Sequence, residues 1–207
     1  MQPNLDPGEG LELTMLAREA IERWFKGHRH PQEIECPAFL NRRGATFVTL
    51  TQGGELRGCI GTLEAYRPVG WDVQANALAA AFSDPRFPPL RREELDRTDI
   101  EVSVLSRPRP LAFKNRDDLL RKLRPSGHGV ILEAEGHRGT FLPQVWEQLP
   151  TPDEFLSHLV RKAGLPADYW SDDVRIWRYA VTTFEEERDN GANLGEAAMV
   201  AEGGTVP

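Results

Sequence analysis

The chain has 207 residues, of which 40% are hydrophobic, and a net charge of -7 from 32 acidic and 25 basic residues. This length and composition suffice for a sizeable core in one domain or two small lobes. The sequence lacks a membrane-spanning apolar run, a signal-peptide pattern at its N-terminus and a CxxC pair, so we expect a cytoplasmic protein that is not membrane-bound, with reduced thiols and no zinc site of usual spacing.

The negative charge is concentrated at the C-terminal end. From Glu185 to Pro207 there are six acids and one arginine, which account for -5 of the -7 and leave -2 for residues 1–184. A stretch rich in Gly, Ala and Glu and without aromatic residues buries too little apolar surface to offset its ordering entropy. We therefore predict a flexible N-terminus at 1–10, a domain at 11–186 and a disordered acidic tail at 187–207. Since neither part is basic, nucleic acid is not an expected partner.

The first half of the chain predicts a helix, a hairpin and a second helix, at residues 11–25, 45–62 and 69–82. Apolar residues recur at helical spacing in the first helix. Gly53-Gly54 separates two stretches rich in β-branched and aromatic residues, as is typical of a hairpin turn. The second helix is rich in alanine and ends before Asp84-Pro85, because proline disfavours helical geometry in the residue that precedes it.

The second half predicts a strand, a short helix, another hairpin, a helix and a final strand. Apolar and polar residues alternate in the first strand, and Thr151, Pro152 and Glu154 form a helix start signal. This order of elements favours an α+β domain with a mixed, largely antiparallel sheet and packed helices over a doubly wound α/β fold. The predicted elements span residues 100–105, 117–123, 130–142, 152–163 and 174–184.

The segment Leu-Arg-Gly-Cys-Ile-Gly at 56–61 is the strongest candidate site. In an extended strand, side chains alternate between faces, so Arg57 and Cys59 should share one face while Leu56 and Ile60 take the other. A guanidinium beside a thiol favours the thiolate, which is the nucleophilic and metal-binding form of cysteine. The segment therefore predicts a site at which Cys59 acts as nucleophile, redox thiol or ligand and Arg57 binds the substrate or partner.

Each residue of this segment also has a purely structural interpretation. Gly58 and Gly61 allow close approach of either a ligand or another backbone. Cys59 fits a small buried core side chain, since free cysteine is among the most buried residue types. Arg57 fits a structural ion pair, for which Glu101 is a candidate partner.

Glu101, Ser103 and His128 are the remaining candidates for handling protons or substrate. Glu101 and Ser103 lie on the polar face of their strand, where they are either solvated or, if the strand pairs near that of Cys59, available as a general base and a binding group. His128 lies between Gly127 and Gly129 at a hairpin end and is a second candidate base for a cysteine nucleophile.

Asp84 and Arg86 follow the second helix in an Asp-Pro-Arg loop. Such a loop is commonly a turn cap with a local ion pair. The same two residues could instead shape a groove for a substrate or partner. His28 and His30 could form a metal pair, but two ligands without a third do not predict a metal site.

The order of several motifs resembles that of the AMMECR family, which is named for the Alport syndrome, midface hypoplasia and elliptocytosis chromosomal region. Its bacterial members are called AmmeMemoRadiSam system protein A. The resemblance covers about residues 11–186 and rests on several ordered motifs, which makes it specific. The motifs are Leu-Arg-Gly-Cys-Ile-Gly at 56–61, Ala-Phe-Ser-Asp-Pro-Arg-Phe-Pro-Pro-Leu at 81–90, Ile-Glu-Val-Ser-Val-Leu at 100–105, Arg-Gly-Thr-Phe-Leu-Pro-Gln-Val at 138–145 and Lys-Ala-Gly-Leu-Pro at 162–166.

The resemblance implies a larger and a smaller lobe with a cleft between them, near segment 56–61. It names neither a settled reaction nor a cofactor. The genomic company of the family implies a pathway shared with Memo-like and radical S-adenosylmethionine proteins, which is association and not mechanism. The link at 146–150 is shorter and less typical than that of the family. Two functions stay open: an enzyme or enzyme partner centred on Cys59, and a non-catalytic adaptor domain that uses the same groove.

Overall fold

The structure is a computed structural model that describes residues 5–33, 37–125 and 127–187. The described residues form five α-helices, eight β-strands and two short 3₁₀ helices. The α-helices are α1 (Pro7–Phe25), α2 (Val69–Phe82), α3 (Arg116–Lys122), α4 (Val145–Gln148) and α5 (Pro152–Lys162). The strands are β1 (Arg43–Gln52), β2 (Glu55–Gly61), β3 (Arg67–Pro68), β4 (Asp99–Leu105), β5 (Arg109–Pro110), β6 (His128–Ala134), β7 (His137–Phe141) and β8 (Arg175–Glu185). The 3₁₀ helices span Ala38–Asn41 and Arg92–Arg97.

The strands form one sheet in the order β2-β1-β4-β8-β6-β7, with β3 added beside β1 and β5 beside β8. Each pairing recorded within the described ranges is antiparallel. The prediction of an α+β fold with a largely antiparallel sheet and packed helices is therefore confirmed. The larger and smaller lobes and the cleft between them remain predictions.

Most predicted elements match observed ones to within two residues, but α1 begins four residues earlier than expected. Asp6 caps this helix by accepting from the Glu9 amide, and the Glu9 side chain accepts from the Asp6 amide. This capping box recruits Pro7 to Gly10, which we had predicted to be flexible, into the helix. Except for Glu187, the predicted acidic tail lies outside the described residues.

The buried apolar residues form two main clusters. In the first, α1 and α2 cover one face of β1 and β4, and Leu13, Val48 and Val102 are fully buried there. In the second, α3 and α5 pack on β6, and Phe155 stacks on Trp146 with ring centroids 3.6 Å apart.

A smaller third cluster joins strands that belong to the two main ones. It contains Ala45, Leu105, Ile131 and Tyr179, from β1, β4, β6 and β8. The helices of the described ranges include none that is long and apolar enough to cross a membrane.

Candidate functional site

Cys59 lies on β2, an edge strand of the sheet, and is partly exposed. It pairs with Thr49 of β1, whose hydroxyl donates a hydrogen bond to the Cys59 Sγ at 3.4 Å. Thr49 in turn pairs with Glu101 of β4, and Glu101 with Glu185 of β8. Since directly paired residues share a face of the sheet, these four side chains form one row on the face opposite α1 and α2. We call this face the open face.

A β-bulge places Arg57 on the other face of the sheet. The register shifts between Leu50 and Thr51, which pair with Gly58 and Leu56, so Arg57 is the extra residue. The extra residue shifts the alternation of side chains by one position for the residues before it. Leu56, which is 42% exposed, therefore lies on the open face. The predictions that Arg57 shares a face with Cys59, and that Leu56 opposes it, are therefore wrong.

Arg57 is instead held in a buried ion pair. Its Nε and Nη2 donate to the Glu94 carboxylate at 3.4 and 3.3 Å, and Nη2 also donates to the carbonyl oxygen of Pro89. The structural interpretation of Arg57 is thus the observed one, but its partner is Glu94 of the 3₁₀ helix and not Glu101. Its Nη1 is buried and has no partner among the described residues.

The Asp-Pro-Arg loop fixes the backbone of Cys59. The Asp84 carboxylate accepts from the Cys59 amide at 2.9 Å, and Arg86 Nη2 donates to the Cys59 carbonyl oxygen at 3.1 Å. Asp84 also accepts from Arg86 Nε and Nη2 at 2.9 and 2.7 Å. The outward amide and carbonyl of an edge strand are open to pairing with another chain, and here both are occupied by this loop.

Arg86, not Arg57, is the guanidinium that lies beside Cys59. The pKa of Arg86 is raised, chiefly by its hydrogen bonds to the Asp84 side chain and by the charge of that carboxylate. The Arg86 hydrogen bond holds the pKa of the buried Asp84 carboxyl far below its usual range. The Arg86 side chain remains 53% exposed, so this cation is accessible from solvent.

The space beside Gly58 and Gly61 is filled by the protein itself. A Cβ on Gly58 would lie 2.2 Å from the carbonyl oxygen of Ala80 in α2, and one on Gly61 would lie 2.2 Å from the ring of Phe47. Of the two predicted alternatives, close approach of another part of the chain is the observed one. These glycines position β2 against α2 and against Phe47 and leave no room for a ligand at their Cα atoms.

Glu101 and Ser103 lie on the open face, as the alternation in β4 predicts. Burial raises the pKa of Glu101, and the charge of Glu185 beside it adds to this effect. Ser103 is 6% exposed rather than solvated, and its hydroxyl lies 3.0 Å from that of Thr183. The backbones of Cys59 and Glu101 are two strand spacings apart, about 10 Å. A proton transfer between the two would therefore need a bridging group or a bound molecule.

The structure does not bring His128 to Cys59. His128 pairs with Ala180 of β8, whereas Glu101 pairs with Glu185 of the same strand. Five residues of strand correspond to about 17 Å. The prediction that His128 serves as base for Cys59 is therefore wrong.

A buried polar network beside the site was not predicted. The carboxylate of Asp72 in α2 is fully buried and accepts from Thr46, Thr62 and Arg67 at 2.5 to 2.8 Å. Asn76, one turn later, donates to the same group at 3.0 Å. Asp72 and Asn76 at helical i, i+4 spacing were the available signal. The network ties α2 to β1 through satisfied hydrogen bonds, so it is structural.

No group of three or more His, Cys, Asp or Glu side chains in the described part of the chain could hold a metal ion. His28 and His30 thus have no third ligand within these ranges. Cys36 lies outside the described residues.

Comparison with known proteins gives a consistent result. The AMMECR1 family model matches residues 14–184. A protein of Methanothermobacter thermautotrophicus is 38% identical over 192 residues, which cover 88% of this chain and 97% of that protein. A protein of Aeropyrum pernix is 39% identical over 202 residues, or 90% of this chain and 83% of that one. The crystal structure of an uncharacterized protein from Pyrococcus horikoshii aligns with a TM-score of 0.74 at 35% identity, covering 88% of this chain and 94% of that chain.

Proposed function

The chain belongs to the AMMECR1 family, and we propose that it acts as an enzyme or the partner of an enzyme through Cys59 as a reactive thiol. One observation carries this proposal: Cys59 is partly exposed, and the half-exposed guanidinium of Arg86 lies beside it, 3.1 Å from its carbonyl oxygen. A cation against a sulfur stabilises the thiolate, which is the attacking form in nucleophilic and redox chemistry.

The surroundings of the thiol support this role. Asp84 binds both the Cys59 amide and the Arg86 guanidinium, so it fixes the backbone of Cys59 and the cation relative to each other. Thr49 donates to the sulfur, and hydrogen bonding to the charged form favours that form. Glu101, whose pKa is raised, is the candidate proton donor or acceptor on the same face. A substrate bridging Cys59 and Glu101 would lie along the row of paired residues.

Alkylation by iodoacetamide tests the thiol directly. The thiolate forms a carbon–sulfur bond, and iodide leaves. In a Cys36→Ser background, native Cys59 should react at neutral pH about threefold or more faster than a free cysteine thiol, because a guanidinium beside a sulfur favours the attacking form. A rate equal to or below that of the free thiol would reject the proposal.

Two arginine variants identify the source of the effect. Arg86→Gln should lower the alkylation rate to that of the free thiol. Arg92→Gln is the matched control, because the Arg92 side chain is 56% exposed and pairs with Asp96 instead. An equal loss of rate in both variants would show that general surface charge, and not the contact with Arg86, accelerates the reaction.

A second candidate function is a non-catalytic adaptor, and the exposure of Leu56 favours it. Leu56 shares the open face with Cys59, and Arg86 lies beside Cys59, so an apolar and a cationic contact are available to a protein partner. In this alternative Cys59→Ser keeps partner binding, whereas Leu56→Asp and Arg86→Glu abolish it. Arg57→Glu is not a test of binding, because Arg57 is buried and its loss would disturb folding.

We also propose that the partners are Memo-like and radical S-adenosylmethionine proteins, on the basis of the family resemblance alone. Co-purification of such proteins from the same genome with the full chain would test this pairing. Retention by the wild type and loss in Leu56→Asp and Arg86→Glu would support an interaction through the open face. Failure of either protein to bind the wild type would reject it.

A further inference from the structure

A cavity of about 390 Å³ lies far from Cys59, at the other end of β8. It is enclosed by the loop that follows β5 and by the segment that leads into β8. Val174 and Ile176, which are 3% and 2% exposed, form its apolar floor. A cavity of this size is in the range that binds small molecules.

Aromatic side chains form the walls of this cavity. Phe113 and Trp170 face each other with ring centroids 5.9 Å apart and an angle of 55° between their planes, and Trp177 of β8 lines the same space. All three rings are only partly buried, so each has surface left to offer. Aromatic rings in such an arrangement favour a flat, apolar guest, with which they can stack or make edge contacts.

The rim of the cavity carries an excess of positive charge. Lys114 and Arg175 lie there with a single acid, Asp172. Neither cation forms an ion pair with any described residue; Arg175 makes only a long hydrogen bond, 3.5 Å, to the carbonyl oxygen of Asp172. Cations that outnumber the acids and form no ion pair beside an apolar cavity favour an anionic group on the guest.

We propose that this cavity binds a small aromatic anion, with its ring between Phe113, Trp170 and Trp177 and its negative group at Lys114 and Arg175. The site is separate from Cys59 and does not depend on the function proposed for that thiol. Cys59→Ser should therefore bind the same molecules with unchanged affinity.

Three indole compounds of similar shape and different charge test the proposal in ligand-observed NMR titrations of the full chain. Indole-3-acetate should bind, indole-3-acetamide more weakly, and tryptamine at least about tenfold more weakly than the acetate, because the rim attracts the anion and repels the ammonium group. Absence of binding by indole-3-acetate at millimolar concentration, or equal binding of tryptamine, would overturn it.

Variants separate the ring contacts from the charge contacts. The double variant Lys114→Gln, Arg175→Gln should weaken indole-3-acetate about fivefold or more and leave indole-3-acetamide unchanged, since both side chains are exposed and unpaired. Trp170→Ala should weaken both compounds. Trp71→Ala, which removes a partly buried tryptophan lining a different groove, should change neither, and an equal loss in this control would count against the site.

Discussion

At the residue scale, Glu94 forms more ion pairs than any other carboxylate among the described residues. It forms ion pairs with Arg57, Arg91 and Arg97, although its side chain is only 9% exposed. Burial opposes its ionisation, but hydrogen bonds from the Arg91 amide and from the Arg57 and Arg91 side chains outweigh burial and lower its pKa from 4.5 to about 2. Its charge therefore stabilises the folded state.

Glu94→Gln should lower the free energy of unfolding by about 3 kcal/mol at neutral pH. A carboxyl whose pKa is lower in the folded state stabilises the fold fully above its unfolded pKa, and this contribution is lost as pH falls through the folded pKa. The difference between wild type and variant should thus be constant above about pH 4.5 and shrink toward pH 2. Urea unfolding at several pH values measures it.

Glu93→Gln is the matched control for this pH dependence. Glu93 is exposed on the same 3₁₀ helix and forms no ion pair with a described residue. Its replacement should change the free energy of unfolding by less than about 0.5 kcal/mol at any pH. A wild-type advantage over Glu94→Gln that persists undiminished at pH 2.5 would contradict the role assigned to the Glu94 charge.

At the element scale, two glycines of β2 are required for different reasons. We therefore expect their substitution to lower the free energy of unfolding by different amounts. In Gly58→Ala the new methyl group meets the backbone of α2, whereas in Gly61→Ala it meets the side chain of Phe47. A helix backbone can shift less than an aromatic side chain. We therefore expect the free energy of unfolding to fall by about 3 kcal/mol in the first variant and by about 1 kcal/mol in the second. Equal costs in denaturant unfolding would show that α2 moves as freely as the ring.

Alternation along the sequence predicted β4 correctly and failed in β2, and the reason is physical. In β4, Ile100, Val102 and Val104 are buried in the first cluster, as their period of two requires. In β2 a bulge inserts Arg57 and reverses the faces before it. Its partner Glu94 is 37 residues away in sequence, and such long-range contacts are not encoded in a local pattern.

The same distinction explains which parts of the candidate site could be predicted. The Cys59 segment and the Asp-Pro-Arg loop are recognisable in the sequence as a candidate site, because glycine-flanked cysteines and such loops are locally unusual. That Arg86 and not Arg57 lies beside Cys59 depends on how the loop after α2 meets the edge of β2. The buried Asp72 network likewise depends on tertiary contacts between α2 and β1.

At the scale of the whole molecule, β8 is shared by both main clusters. Its residues 181–185 pair with β4, and its residues 175–180 pair with β6. The third cluster crosses the same junction. Unfolding one half would leave half of β8 without a partner strand, which favours a single cooperative transition over two independent lobes.

Native-state hydrogen exchange of two core variants tests this cooperativity. Leu13→Ala and Leu159→Ala each remove a fully buried side chain, one from each main cluster, and should cost about 3 kcal/mol. If β8 couples the halves, either variant accelerates exchange of the most protected amides in both β1 and β6, by about 100-fold. If the predicted lobes unfold independently, Leu159→Ala accelerates exchange in β6 and leaves β1 unchanged. The shared strand favours the first result, because about half of β8 pairs with β4 of the first cluster and the other half with β6 of the second.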